Sequence, residues 1–291
     1  MNPNDDMLHR FLLEDAGVRG VLVRLGETWT EVAGRAEYPP ALRDLLAQAL
    51  AASALLTGNV QFKGSLSLQL KSDGPVKLLF AQCEHDQVRG LAQWSDPVPE
   101  SLHLDQLQNP IFAVTLDHAD GRRQQGLIPV EAGSFAKLIE LYFERSEQLP
   151  TRIVLAVSPT RCAALLLQRV PTSGGHSADP DAWNRVLHLT ATLSDAELLE
   201  LPVETLLHRL YHEENVRMLE ARPLRFGCRC SRERVGAVLL SLGRVEAQAA
   251  IQDDGRIEVT CEFCNSRYYF DEVDLEQLFR DGGTRPAATT H

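Results

Sequence analysis

Gly227-Cys228-Arg229-Cys230-Ser231 and Cys261-Glu262-Phe263-Cys264 lie near the end of the chain, with thirty residues between the two cysteine pairs. Two close pairs from separate segments suit one four-ligand site. Zinc without an open coordination position favours four thiolates arranged tetrahedrally at about 2.3 Å, and each short pair can supply two of them. A lone C-x-x-C is a weak signal. Its conjunction with C-x-C is far more specific, because both pairs must converge on the same ion. The 54 residues from Cys228 to Asp281 carry few large apolar side chains, too few for a self-sufficient core in so small a unit. The spacing therefore predicts a small C-terminal four-cysteine zinc domain over 228–281, with one Zn2+ per chain held by Cys228, Cys230, Cys261 and Cys264. Structural zinc contributes roughly 10 to 16 kcal/mol of folding free energy in such units, so its loss should unfold the segment.

The same four residues admit two roles. A permanent structural site is the commoner one for four-cysteine clusters, and spacing by itself favours it. The other is a redox switch. Oxidation destroys thiolate ligands, and Arg229, Arg232 and Arg234 place positive charge beside the first pair, which favours thiolate and reaction with oxidant. Residues two apart reach the Cα separation of a disulfide, about 4.4 to 6.8 Å, only in a strained turn, which makes a C-x-C bond comparatively reducible. The C-x-x-C pair can also close on itself. Each pair thus has a local disulfide available once zinc departs.

Upstream, the chain is long enough for more than one unit, and 44% hydrophobic with 24% charged residues is ordinary for a globular protein. The net charge of −11 argues against sequence-independent binding to nucleic acid or anionic lipid. The N-terminal MNPNDDMLHRFLLED has no secretory pattern, and the uncharged run Leu45 to Phe62 is too polar for a membrane span, so a cytoplasmic location is expected. In a reducing compartment six cysteines read as ligands, redox groups or buried thiols before structural disulfides.

Ser65 to Leu70 alternates with period two, Asp73-Gly74 turns, and Val76 to Phe80 resumes, which predicts a hairpin. A second hairpin pairs Ile111–Leu116 with Gln125–Val130 around Asp120-Gly121. Leu42, Leu45, Leu46, Ala49 and Leu50 recur at helical spacing, as do Phe135, Leu138, Ile139, Tyr142 and Phe143 behind a Ser134 cap; both stripes read as core. Thr151–Val157 and Ala163–Val170 read as strands, and Pro171-Thr172-Ser173-Gly174-Gly175 breaks all periodicity. We therefore expect an α+β core domain over 1–175.

Residues 176–227 read as a linker of short helices. Asp179-Pro180 opens the first, Ser194 with Glu197 forms a capping box for the second, and Pro202 starts the third. Val203, Leu206, Leu207, Leu210 and Tyr211 make one apolar stripe of that third helix, a candidate docking or client-binding surface, with Glu204, Arg209, Glu213 and Glu214 left to water. From Asp179 through Glu220 there are nine acidic and three basic side chains, a net of −6. Helices this short rarely persist in water, so the linker is metastable unless docked. The tail over 282–291 carries no motif and is expected to be mobile.

At this point the sequence resembles the 33 kDa chaperonin family, the bacterial redox-regulated heat-shock holdases, along nearly its whole length. The resemblance is carried by His9-Arg10 with Val18-Arg19-Gly20, by Ser72-Asp73-Gly74-Pro75, and by Arg145-Ser146-Glu147-Gln148-Leu149-Pro150-Thr151. It continues in Leu210-Tyr211-His212-Glu213-Glu214, in Cys228-Arg229-Cys230-Ser231-Arg232-Glu233-Arg234 and in the final C-x-x-C, with no departure at the four ligands. It implies an ATP-independent holdase chaperone, inactive when reduced and zinc-bound. In the family's manner, oxidation would form Cys228–Cys230 and Cys261–Cys264 disulfides, release zinc and unfold the linker. Its partners would be unfolded or oxidatively damaged client proteins, with a reduced monomer and an oxidised homodimer.

Other features read blandly. Cys83 and Cys162 sit in apolar, strand-like contexts as buried inert thiols, and His208 with His212, one helical turn apart, reads as a partly exposed pair without an H-E-x-x-H pattern. No P-loop, nucleophile elbow or dinucleotide fingerprint occurs, so no catalytic residue is expected and the chain reads as a non-enzyme. Two rivals remain at this level. One is a dithiol oxidoreductase using Cys261 and Cys264, which lacks the usual βαβ context. The other is a zinc-ribbon nucleic-acid module built on Arg222, Arg225, Arg229, Arg232 and Arg234, which the overall acidity opposes.

Overall fold

The computed structural model describes residues 5–59, 64–170, 179, 181–252 and 255–282. Packing divides the chain into two units, Met1–Gly227 and Cys228–His291. In the first unit the elements run β1 (Met7–Leu13), β2 (Val18–Leu25), α1 (Glu27–Ala33), α2 (Pro40–Asn59), β3 (Gly64–Lys71), β4 (Val76–Glu84) and β5 (Gln87–Trp94). There follow β6 (Ile111–His118), β7 (Arg123–Pro129), α3 (Phe135–Tyr142), β8 (Thr151–Val157) and β9 (Cys162–Arg169). The unit closes with α4 (Ala182–Thr190), α5 (Asp195–Glu200), α6 (Val203–Tyr211), β10 (Val216–Pro223) and β11 (Arg225–Phe226).

The strands form a five-stranded sheet, β10-β1-β2-β9-β8, and a six-stranded sheet, β11-β5-β4-β3-β6-β7. Both expected hairpins are present, with Leu68 opposite Ala81 and Ala113 opposite Leu127. Helix α2 shares one core with Leu8, Val21 and Val23 of the five-stranded sheet and Leu66, Leu68 and Leu79 of the six-stranded one. This explains its composition. A helix packed on opposite sides must be apolar around its circumference, and Ala47, Ala49, Ala51, Ala52 and Ala54 are all buried. The uncharged run beginning at Leu45 is thus a core helix, and no helix among the described residues is long and apolar enough to cross a membrane. Ser134 caps α3 as expected, its side chain accepting the Lys137 N–H.

The other face of the five-stranded sheet is apolar too, and α4, α5 and α6 cover it. Phe11, Leu13 and Leu22 from the sheet share a second core with Val186, Leu198, Val203, Leu206, Leu207, Leu210 and Tyr211 from the helices. The α6 stripe read from sequence is buried at every position, none more than 2% exposed. At roughly 1.5 to 3 kcal/mol per fully buried side chain, this face holds three helices too short to persist alone. Polar ties fix their placement. The capping box of Ser194 and Glu197 is formed on both sides. Tyr211 and Thr190 share a hydroxyl hydrogen bond (2.7 Å), Arg24 Nε donates to the Leu198 carbonyl (2.7 Å), and Arg161 pairs with Asp5 (3.0 Å) and Glu200 (2.6 Å).

The structure corrects two expectations for this segment. Helix ends at Tyr211, and Val216–Pro223 is a strand, β10, paired antiparallel to β1 with Leu13 opposite Val216 and Met7 opposite Pro223. The partner lies some two hundred residues away in sequence, so no local period announces it. Glu214, expected in water, is buried at 1% exposure because Arg185 reaches it from α4 at 2.5 Å. The Pro171–Gly175 break, the Pro180 helix start and the tail past Gly282 lie outside the described residues.

The second unit holds α7 (Arg232–Leu242), α8 (Arg244–Ala249), the hairpin β12 (Arg256–Thr260) with β13 (Arg267–Asp271), and α9 (Glu272–Gly282). Its core is confined to Leu239, Ala247, Ile257, Phe270 and Leu275, with a few half-buried neighbours. So small a core leaves much of the unit's stability to be found elsewhere.

Gly20 is opposite Phe11 in the β1–β2 ladder, and a Cβ there would fall 2.0 Å from the Phe11 ring. Gly20→Ala should push Phe11 into the helices above it and cost about 1–3 kcal/mol, read as a lower urea midpoint with an unchanged slope.

Candidate metal centre

The two cysteine pairs meet because each is placed by a local cap. Cys228 and Cys230 immediately precede α7, whose N-cap Ser231 accepts the Arg234 N–H (3.3 Å) and fixes how the chain enters the helix. Cys261 and Cys264 form the turn joining β12 to β13. There the Cys261 N–H donates to the Ser266 carbonyl (2.9 Å), the Asn265 N–H donates to the Cys261 carbonyl (2.7 Å), and Asn265 takes the left-handed conformation at φ 57°. Asparagine is among the few residues that adopt it readily.

The four sulfurs then converge: Cys228 Sγ is 3.6 Å from Cys261 Sγ, Cys230 Sγ is 3.2 Å from Cys264 Sγ, and all four lie within 4.8 Å of one another. Tetrahedral coordination with bonds of about 2.3 Å requires sulfurs about 3.8 Å apart, so the donor set fits such an ion with little adjustment. All four thiols are half-buried and none is in a disulfide.

Burial, the largest cause, raises the pKa of Cys228, Cys230 and Cys261, while hydrogen bonds around the sulfurs act in both directions. At Cys264 burial also acts upward, but hydrogen bonds from the Ser266 side chain and backbone, with those of Cys230 and Cys228, overcome it and bring the thiol down to about 6. Ser266 Oγ is 3.2 Å from Cys264 Sγ, and the Tyr268 hydroxyl donates to Cys230 Sγ at 3.1 Å. These two polar neighbours were not singled out from sequence, since a Ser and a Tyr near cysteines carry no distinctive spacing. Such partners orient ligand sulfurs and tune their basicity.

The arginines depart from expectation. Arg232 pairs with Asp274 (2.7 Å), donates to the Tyr269 carbonyl (2.5 Å) and lies 4.3 Å over the Phe270 ring, so its charge is spent on holding α7 to β13 and α9. Arg234 donates to the Arg229 carbonyl (2.9 Å). The largest causes that set the thiols are burial and the hydrogen bonds around the sulfurs.

The remaining sequence candidates fall apart from this centre. Cys83 and Cys162 are fully buried, and burial raises both thiols. His208 and His212 stack with ring centroids 5.5 Å apart on the exposed side of α6. Among the described residues the four cysteines are the single group of His, Cys, Asp or Glu side chains close enough to hold a metal ion.

Residues 6–271 match the family described as Hsp33 protein. The chain belongs to the Hsp33 family. Relatives named 33 kDa chaperonin include one from Nitrosococcus oceani, 41% identical over 288 residues and covering 99% of both chains. Another, from Methylobacillus flagellatus, is 43% identical over 277 residues and covers 94% of each. The crystal structure of the 33 kDa chaperonin (heat shock protein 33 homolog) from Thermotoga maritima superposes with a TM-score of 0.82, covering 96% of this chain and 99% of that one at 22% identity. At that identity the likeness concerns the Hsp33 fold, and it agrees with the mixed helix and strand architecture expected from sequence.

Cys261→Ser should remove one donor and weaken metal retention by orders of magnitude, measured by competition with a chromophoric chelator. Loss of the metal should also lower the helical signal of the second unit, since its apolar core is small.

Proposed function

We propose that this Hsp33 family member is an ATP-independent holdase chaperone, inactive when reduced and loaded with zinc, and switched on by oxidation. The observation that carries the proposal is the joint presence of a four-thiol centre and a sheet face covered by short helices. Zinc is the ion the donor set suits best, since four thiolates in a closed tetrahedron match its preference. When bound it would tie Cys228, Cys230, Cys261 and Cys264 together and stabilise a unit with little core of its own.

Oxidation would join two thiolate sulfurs per bond, sending two electrons for each disulfide to an oxidant such as peroxide, which takes up two protons from solvent and leaves as two waters. The local pairs Cys228–Cys230 and Cys261–Cys264 are the bonding the family implies. Cysteine sulfurs in disulfides are poor ligands, so the second unit would lose its main source of stability. The helices α4–α6 would then leave the five-stranded sheet. Phe11, Leu13 and Leu22 on the sheet, and Val203, Leu206, Leu207, Leu210 and Tyr211 on α6, would form an apolar surface for unfolding client proteins. The relatives' name, 33 kDa chaperonin, supports the chaperone part of this reading.

The deciding measurement is light scattering from a chemically unfolded client diluted into reduced, zinc-loaded protein or into the same protein after warm peroxide, with released zinc followed in parallel. Suppressed aggregation only after oxidation and zinc loss supports the switch. Equal behaviour in both states would leave the cysteines as a permanent structural site.

Leu207→Asp provides a test without oxidant. It removes roughly 1.5 to 3 kcal/mol of burial and adds the cost of desolvating a carboxylate. The reduced variant should therefore hold clients without peroxide. Capture that stays fully redox-gated would show that α6 docking does not control the activity.

A further inference from the structure

Beneath the cover formed by α5 and α6 lies a histidine that the reading above does not use. In β1 the side chains alternate, and His9 shares its face with Phe11 and Leu13, the face toward the helices. His9 is 7% exposed, and its Nε2 is buried without a hydrogen-bond partner. A buried imidazole nitrogen without a partner tolerates the neutral ring far better than the charged one.

The surroundings sharpen that preference. Arg24 comes from β2 on the same face, 1% exposed, and its guanidinium is committed to the α5 carbonyl of Leu198. Arg24 Nη1 is itself buried and unpartnered, so a second cation on this face would meet one that is already poorly compensated. From α6 the charged group acting on His9 is Glu204, which is solvent-exposed. On the other side β10 sets Ala221 opposite His9, its Glu220 is exposed, and Arg222 reaches Thr57 Oγ1 at 2.6 Å. Asp5, Glu200 and Arg161 act on Arg24.

We propose that docking of α5 and α6 on the five-stranded sheet is proton-linked through His9, so that the cover closes over a neutral imidazole and mild acid loosens it while the metal centre stays intact. The inference rests on the reading of these helices as a releasable cover, and adds a second input to it. Burial, the largest cause, together with Arg24 lowers the docked histidine from the ordinary 6.5, while Glu204 partly opposes them. The sign follows from linkage. An undocked His9 gains its proton near the ordinary value, a docked one only at lower pH, so acid favours the undocked state and docking is strongest above that value. Between pH 7.5 and 5.5 the docking equilibrium should weaken by up to about tenfold, the limit set by one proton bound only in the open state.

The test is hydrogen exchange read by mass spectrometry on full-length reduced protein at pH 7.5 and 5.5. Rates are corrected for the intrinsic pH dependence, and bound zinc is confirmed at one per chain in each sample. The expected result is up to tenfold faster exchange of the α6 amides at pH 5.5, absent in His9→Gln. Glu204→Gln, an exposed change that leaves the core untouched, should enlarge the acid response, because it removes the one group that eases protonation of the docked ring. The same acid response in wild type, His9→Gln and Glu204→Gln would overturn the inference and leave the redox cover standing. Exchange of α6 only by global unfolding, at both pH values and after oxidation, would overturn the cover itself and the inference with it.

Discussion

The five-stranded sheet has apolar side chains on both faces, and neither face can be left to water without cost. The two faces are covered by very different means. On one side stands α2, twenty residues long and buried along most of its length, sandwiched against a second sheet. On the other stand α4, α5 and α6, of nine, six and nine residues. A long helix packed against strands on two sides is difficult to displace. Three short helices are stable only through the face they cover. The asymmetry rests one half of the fold on a long buried helix and the other on three short ones, which is the division the proposed switch would use.

The three short helices are not held by apolar contact alone. Arg24 donates to the end of α5, Arg161 joins Asp5 to Glu200, and Arg185 draws Glu214 out of water. These groups give the helices a defined seat, since a polar partner is satisfied in one placement and not in its neighbours. They also make partial opening unfavourable, because a buried charge stripped of its partner costs more than the pair gained. Docking should therefore be close to all or none.

Local periodicity made much of this architecture legible. The hairpin at Ser65, the stripe at Leu42–Leu50, the Ser134 cap, the Ser194–Glu197 capping box and the α6 stripe are all short-range patterns, and each is present. The four cysteines were legible because a chelating pair announces itself by spacing. What escaped depended on partners far away in the chain. Val216–Pro223 becomes a strand only because β1 offers an edge, and Glu214 is buried only because Arg185 faces it. Arg232 looked like an activator of the neighbouring thiols until Asp274 and the Phe270 ring claimed it. Charge read along a sequence does not reveal how it is spent in three dimensions.

Strand β10 has one more consequence. The helices α4–α6 leave the sheet after β9, which ends at Arg169, and the chain rejoins the same sheet at Val216. They are thus a loop anchored at both ends on the surface they cover. So long as β10 stays paired, helices released from that surface remain at a high effective concentration above it, and the entropy of bringing them back is that of closing a modest loop. Under the proposed function, recovery would then be a unimolecular event whose rate does not depend on how dilute the protein is, and a polypeptide held on that face would have to compete with a neighbour that never leaves.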